Sequence, residues 1–252
     1  MSDDKADRLT KTVSGVVRER RWPNQKPKDA ATLIIIDRRG ASPKVLMGKR
    51  HHGHKFMPGK FVFPGGRLEG EDRRMPALGA FEAPVDAALI ARTVRPSRSR
   101  GRALALTAIR ETYEETGLFI GRRTDTMPAG PTAGVWAPFF EKRILPDLGA
   151  VQFIGRAITP PGRPKRFDTR FFAIDREAIA HEEPGFIGPD KELVELVWVE
   201  VEEAVKLDLP PITVVMLEEL ERRTEEGFGH DLPVPFYHER QKRFVRELLG
   251  AG

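Results

Sequence analysis

Residues 110–117, RETYEETG, crowd Glu111, Glu114 and Glu115 into five positions beside a single cation, Arg110. On a helix, at roughly 100° per residue, the three carboxylates share an arc of about 100°. Leu106, Ile109 and Tyr113 fall on the opposite side as an apolar stripe. Such a helix is anchored through one face and presents acids on the other. Arg110 reaches Glu114 at i+4 and leaves the other two carboxylates unpaired. Like charges four apart repel by roughly a few tenths of a kcal/mol when exposed, and acids near a helix C-terminus oppose the macrodipole. A hard divalent cation, which binds through oxygen, would relieve both. The alternative is a solvated acidic face. The chain holds a control for it: LEELERRTEE (217–226) is as acidic, yet places Arg222 and Arg223 at ion-pairing distance from its glutamates.

The elements that must position these acids are legible as runs and breaks. ATLIIID (31–37) and KVLMG (44–48) read as strands joined by a turn, and KFVF (60–63) as a short strand closed by PGG. Gly65 and Gly66 let backbone approach a ligand closely, and a glycine turn leaving a strand can offer backbone groups to a metal or a phosphate. A helix is expected from about 102 to 116, ending on Gly117 as C′ residue. Strands are expected at 150–159, 166–174 and 192–201, a helix at 211–220 starting on proline, and a last helix at about 236–249. Residues 1–29 are polar and pattern-poor, which predicts a loose arm. Residues 30–252 then form a single α/β domain with a mixed sheet.

The Gly-Gly bend and the acidic helix together resemble the Nudix box, G-x5-E-x7-R-E-U-x-E-E-x-G-U, with U apolar. Gly66 stands at the box glycine, and Arg110, Glu111, Glu114, Glu115, Gly117 and Leu118 match its second half. The first acidic position is Asp72, the apolar position after Glu111 is Thr112, and 37 residues separate Asp72 from Arg110 where the pattern has seven. A loop lengthens at small cost in free energy, so an interrupted box can still assemble. KFMPGKFVFPGG, AIRETYEETG, ITPPGRPKRFDTRFFAI and LDLPP are together similar to the branch that includes the peroxisomal coenzyme A diphosphatase.

The resemblance implies a Nudix-type α/β/α sandwich with mixed β-sheet, a long insertion (73–101) inside the box, and C-terminal helices. It also implies Mg²⁺ or Mn²⁺ and hydrolysis of a diphosphate linkage. Metal ligands would be Glu111, Glu114, Glu115 and the Gly66 carbonyl. Arg110 would orient a box glutamate. Glu114 is the first choice of general base, with Glu192 or Glu195 in reserve. Coenzyme A is the leading substrate, and Arg50, Lys55, Arg166 and Arg170 are candidate contacts for its phosphates. ADP-ribose, dinucleoside polyphosphates and other nucleotides are the rival substrates.

Composition narrows the rest. The absence of cysteine excludes disulfides and thiolate chemistry. No apolar run approaches the roughly 20 residues that cross a bilayer, and the start has no secretory apolar region, so the expected location is cytoplasmic, with no membrane partner. Residues 73–107 carry seven arginines (Arg73, Arg74, Arg92, Arg95, Arg98, Arg100 and Arg102) against Glu82 and Asp86. That suits an anionic partner or a solvated insertion. A non-catalytic nucleotide or RNA binder is the reading from another class, and the three retained box glutamates count against it. Oligomeric state is open, a homodimer included.

Overall fold

The computed structural model describes residues 2–14, 22–53, 59–131 and 133–250. Its spine is strand β1 (Lys28–Asp37). Ala31, Leu33 and Ile35 of β1 pack toward one helical layer, and Ile34 and Ile36 toward the other, as the two-residue period of a strand requires. β1 runs parallel to β9 (Phe167–Asp175) along its length, but pairs with β2 (Lys44–Arg50) only at Ile36 and Asp37. Past that point β2 separates from β1. β3 (Phe61–Val62) pairs with β2, and β4 (Gly65–Arg67) pairs with β1 at Ala30–Thr32. The chain between β3 and β4 crosses this fork, so the Gly-Gly bend sits at the opening of the sheet.

With β8 (Gln152–Ile158), β11 (Leu193–Glu200), β12 (Val234–Arg240) and β13 (Arg243–Leu249), the main sheet has the order β11-β2-β1-β9-β8-β12-β13. β1 with β9 and β12 with β8 are parallel and the other pairs antiparallel, which makes the sheet mixed. Two small ladders flank it: β5 (Leu118–Ile120) with β10 (Ile179–Glu182), and β6 (Arg122–Arg123) with β7 (Ile144–Leu145).

One helical layer is α3 (Arg98–Thr116), with α2 (Ala83–Ile90) and α4 (Ala137–Glu141) joining its apolar core. The other holds α1 (Ser2–Leu9), α5 (Val201–Ala204) and α6 (Pro211–Glu225). This is the expected α/β/α arrangement. The Ser97 side chain accepts from the Arg100 N–H to cap the start of α3, and Gly117, at φ 76°, ends it in the left-handed region.

Three expectations are corrected. Residues 236–249 form the β12–β13 hairpin instead of a helix. Phe244, Leu248 and Leu249 fit a helical stripe, but Val234, Phe236, Tyr237 and Phe244 supply β-branched and aromatic side chains that bury against the sheet. Gln241 and Lys242, at φ 50° and 66°, make the turn. Within the arm, Ser2–Leu9 is helical, with Ala6 and Leu9 buried against the second layer, and Lys28 and Asp29 already belong to β1. The insertion is not a solvated loop: Met75, Val85, Ala88 and Leu89 enter the core, and α3 begins inside it. Its basic patch is also partly neutralised, since Arg92 pairs with Glu247 and Arg100 with Asp29, while Arg102 donates to the Met75 carbonyl.

Candidate active site

Despite 37 intervening residues, the two halves of the box meet. Arg110 is the connector. Its Nε donates to Asp72 Oδ1 at 2.8 Å, and its Nη2 donates to the Arg67 carbonyl at 2.9 Å. Nη1 faces Glu114 at 2.5 Å and Glu111 at 2.9 Å. Asp72 is fully buried and also accepts from the Thr107 hydroxyl at 2.8 Å and the Glu69 N–H at 2.9 Å. Burial opposes the Arg110 charge, but the Asp72 bond and charge, with Glu111 and Glu114, outweigh it and hold its pKa above the ordinary value. Asp72, left out of the expected site residues, is therefore the clamp that carries the insertion back to the helix. Its signal was the box spacing from Gly66.

The acids divide unevenly. Glu111 lies against Gly66: a Cβ on that glycine would stand 2.2 Å from Glu111 Oε1. No other residue type fits there without displacing the carboxylate. Glu115 is 7% exposed, and its Oε2 is buried with no hydrogen-bond partner among the described residues. Its carboxylate takes the Gly65 N–H. Burial pushes the Glu111 carboxyl up to about 7 against the pull of Arg110. Burial likewise pushes Glu115 up to about 8; Glu192 and Glu111 add to the rise, while Arg50 and the Gly65 N–H oppose it. Glu114 departs from the expected trio. It is bonded to Arg110 through Oε2 and is 41% exposed, unlike the buried Glu115.

Among the described residues no three carboxylates or imidazoles converge into a ready-made cage. The donor set is smaller: two carboxylates with raised pKa, one of them with an orphaned oxygen, beside an open glycine bend. Buried anionic oxygen without a donor is costly, and an oxygen-seeking divalent cation fits it. The residues present fit Mg²⁺ or Mn²⁺.

A cleft of about 520 Å³ opens onto this bend, lined by Gly65, Gly66, Glu111, Arg50, Phe167 and Phe171 among others, with Pro210 and Ile212 at the start of α6. Phe167, Thr169 and Phe171 alternate to the cleft face of β9. Arg50 pairs with Glu192 at 2.8 Å. Glu192 lines the neighbouring pocket with His51, Asp190 and Lys191, near enough for Glu115 to feel its charge. Glu195 sits exposed on β11, opposite Lys49, and bonds to none of the box residues.

The substrate arginines separate by strand parity. Arg170 is fully buried on the face of β9 away from the cleft, paired with Asp168 at 2.9 Å and Asp29 at 3.3 Å. Burial lowers its pKa to about 10. It belongs to a buried ion cluster with Arg156 and Arg100, and its expected substrate contact is corrected: residues two apart along a strand share a face, and 170 is on the wrong parity to join 167, 169 and 171. Arg166 is at the cleft end instead, and Lys55 lies outside the described residues.

No family model matches the chain. Among curated proteins it is similar to a Caenorhabditis elegans protein carrying the provisional name nudix hydrolase 7, at 25% identity over 214 residues, which cover 77% of this chain and 60% of that protein. The chain thus spans about 60% of the length of that relative. Among solved structures, a Nudix hydrolase from Alicyclobacillus acidocaldarius superposes with a TM-score of 0.59 at 28% identity, covering 77% of this chain and 90% of that one.

Proposed function

We propose that this chain is a Nudix hydrolase that cleaves the diphosphate linkage of a nucleoside diphosphate derivative with the help of a divalent cation. The observation that carries the proposal is the orphaned Glu115 Oε2 beside Glu111 and the Gly65–Gly66 bend. Diphosphates resist water mainly because their own charge repels a nucleophile, so catalysis is charge neutralisation and positioning. Glu111 and Glu115, beside the Gly66 backbone, would hold Mg²⁺ or Mn²⁺. When bound, the cation supplies charge neutralisation at the phosphate oxygens and an acidified water.

The chain's own residues do the rest. Arg110 fixes the acidic helix to β4 and to Asp72, which keeps Glu111 and Glu115 facing the bend. Water adds to one phosphorus, the bond from that phosphorus to the bridging oxygen breaks, and the water's proton passes to a carboxylate. Glu192 is the base of choice on position: it pairs with Arg50, which lines the cleft, and its charge reaches Glu115, whereas Glu114 is bonded to Arg110 and Glu195 sits exposed opposite Lys49. Phe167 and Phe171 form an apolar floor for a nucleoside. The substrate we favour is coenzyme A or its thioesters, yielding 3′,5′-ADP and (acyl-)4′-phosphopantetheine.

The test is a panel of coenzyme A esters, ADP-ribose and dinucleoside polyphosphates, each incubated with Mg²⁺ or Mn²⁺ and resolved by mass. Metal-dependent cleavage within the diphosphate supports the reaction class, and the fastest substrate fixes the specificity. No metal-dependent cleavage of any diphosphate would refute it.

A further inference from the structure

Next to the cleft lies a second, smaller pocket of about 210 Å³, lined by Gln25, Lys28, Arg67, Lys165, Arg166 and Phe167. Four of these six residues are cationic and none is a carboxylate. Arg67, Lys165 and Phe167 also line the main cleft, so the two spaces adjoin.

Register explains the arrangement. Thr32 is opposite Gly65, Ala30 is opposite Arg67, and Lys28 is opposite Phe167. Residues 28, 30 and 32 of β1 share the cleft face. At about 3.3 Å per residue, Arg67 stands roughly 7 Å along the sheet from Gly65, and Lys28 roughly 13 Å from the Thr32 position. Arg166 is already oriented. Its Nη1 donates to Asn24 Oδ1 at 2.7 Å and to the Gln25 carbonyl at 2.6 Å, and its Nε donates to the Thr159 carbonyl at 3.0 Å. All three acceptors are neutral, and the Glu239 carboxylate lies close enough to act on the guanidinium charge. Its Nη2 makes no hydrogen bond among the described residues.

We propose that Lys28, Arg67, Lys165 and Arg166 form a second anion subsite that takes a phosphate monoester carried on the ribose of the substrate, roughly 7–13 Å along the sheet from the diphosphate held at Gly65–Gly66. The proposal rests on the hydrolase reading for the placement of the diphosphate. Charge-assisted bonds from a cluster of lysines and arginines are the usual means of holding a phosphate dianion. The aromatic floor at Phe167 and Phe171 spans the interval between the two anionic groups, where the nucleoside would lie. The subsite thus selects substrates with three phosphates in two places over simple nucleoside diphosphate derivatives.

Binding tests the subsite apart from hydrolysis. Calorimetry on the full chain would compare adenosine 3′,5′-bisphosphate with adenosine 5′-monophosphate, without a divalent ion. The expected result is at least tenfold tighter binding of the bisphosphate, a steep loss of that preference with added salt, and its disappearance in the Lys28→Ala/Lys165→Ala double variant. Equal affinities, no binding of either probe, or a preference that survives the double variant would overturn the subsite. In parallel, the kcat/KM ratio of coenzyme A over dephospho-coenzyme A should exceed ten in the wild type and fall toward one in the double variant. A bisphosphate preference without any diphosphate cleavage would leave the subsite standing and sink the hydrolase reading alone.

Discussion

The C-terminal halves of α3 and α6 are matched in acidity and opposite in fate. In α6, Glu219 is 2% exposed and fully served: it accepts from Tyr237 at 2.6 Å and Arg246 at 3.1 Å, and pairs with Lys5 at 3.3 Å and Arg222 at 3.3 Å. Burial alone would raise its pKa, but the Tyr237 and Arg246 bonds hold it down at about 2. In α3, Glu115 is buried to a similar degree, yet one oxygen has no donor and the pKa moves the other way, to about 8. Burial of a glutamate is therefore not the distinguishing feature. The feature is whether the fold brings donors to it. Around α6 it brings donors from α1 and from the β12–β13 hairpin. Around α3 it spends Arg110 on Asp72, Glu114 and one oxygen of Glu111, and Arg50 on Glu192. The proposed ion site lies where the donors stop.

The largest effect expected from breaking this contrast is on turnover. Glu115→Gln should lower kcat by about a hundredfold or more in Mg²⁺, with an unchanged circular dichroism spectrum. Glu219→Gln should leave kcat per folded molecule as it is and destabilise the chain by about 2–3 kcal/mol, read by urea denaturation. The next effect is Arg110→Ala, which strands the buried Asp72 carboxylate and should cost about 3–5 kcal/mol of stability.

pH should then separate the two acids by sign. Glu115 has a folded pKa of about 8 against an ordinary 4.5, so between those values the native state holds the extra proton. The ion-free protein should lose stability as pH rises from about 4.5 to about 8, and millimolar Mn²⁺ should cancel most of that loss. Glu219 acts in reverse: its contribution is present above the ordinary 4.5 and is lost as pH falls toward about 2. Melting temperatures against pH, with and without Mn²⁺, check both. The smallest expected effect is Thr107→Val, which removes one of the bonds to Asp72 and should cost about 1 kcal/mol.

Much of this was legible in the chain. The strand spine, the acidic helix with Gly117 as its stop, and the contrast between 110–117 and 217–226 follow from periodicity and charge spacing. What escaped has a common cause: it depends on partners far away in sequence. Glu114 and Glu111 look equivalent on a helical wheel, but only the position of Gly66 separates them. Arg166 and Arg170 look like one basic motif, yet strand parity sends the second into a buried cluster with Asp29 and Asp168. The hairpin at 234–249 also fits a helix on sequence, because apolar residues at 244, 248 and 249 satisfy a helical stripe as well as the edge of a sheet. The α1 helix has few apolar residues, and its burial depends on Ala6 and Leu9 meeting a surface built by α6 and β13.

The proposed place for a divalent cation is at Glu111 and Glu115 against the glycine bend, and not at any equally acidic surface. Crystals soaked in Mn²⁺ would decide it by anomalous scattering. A peak is expected within coordination distance of the Glu111 and Glu115 carboxylates and next to Gly66. A map with no peak there, or with Mn²⁺ only at the acidic groove of Glu202, Glu221 and Glu225 beside α6, would contradict it.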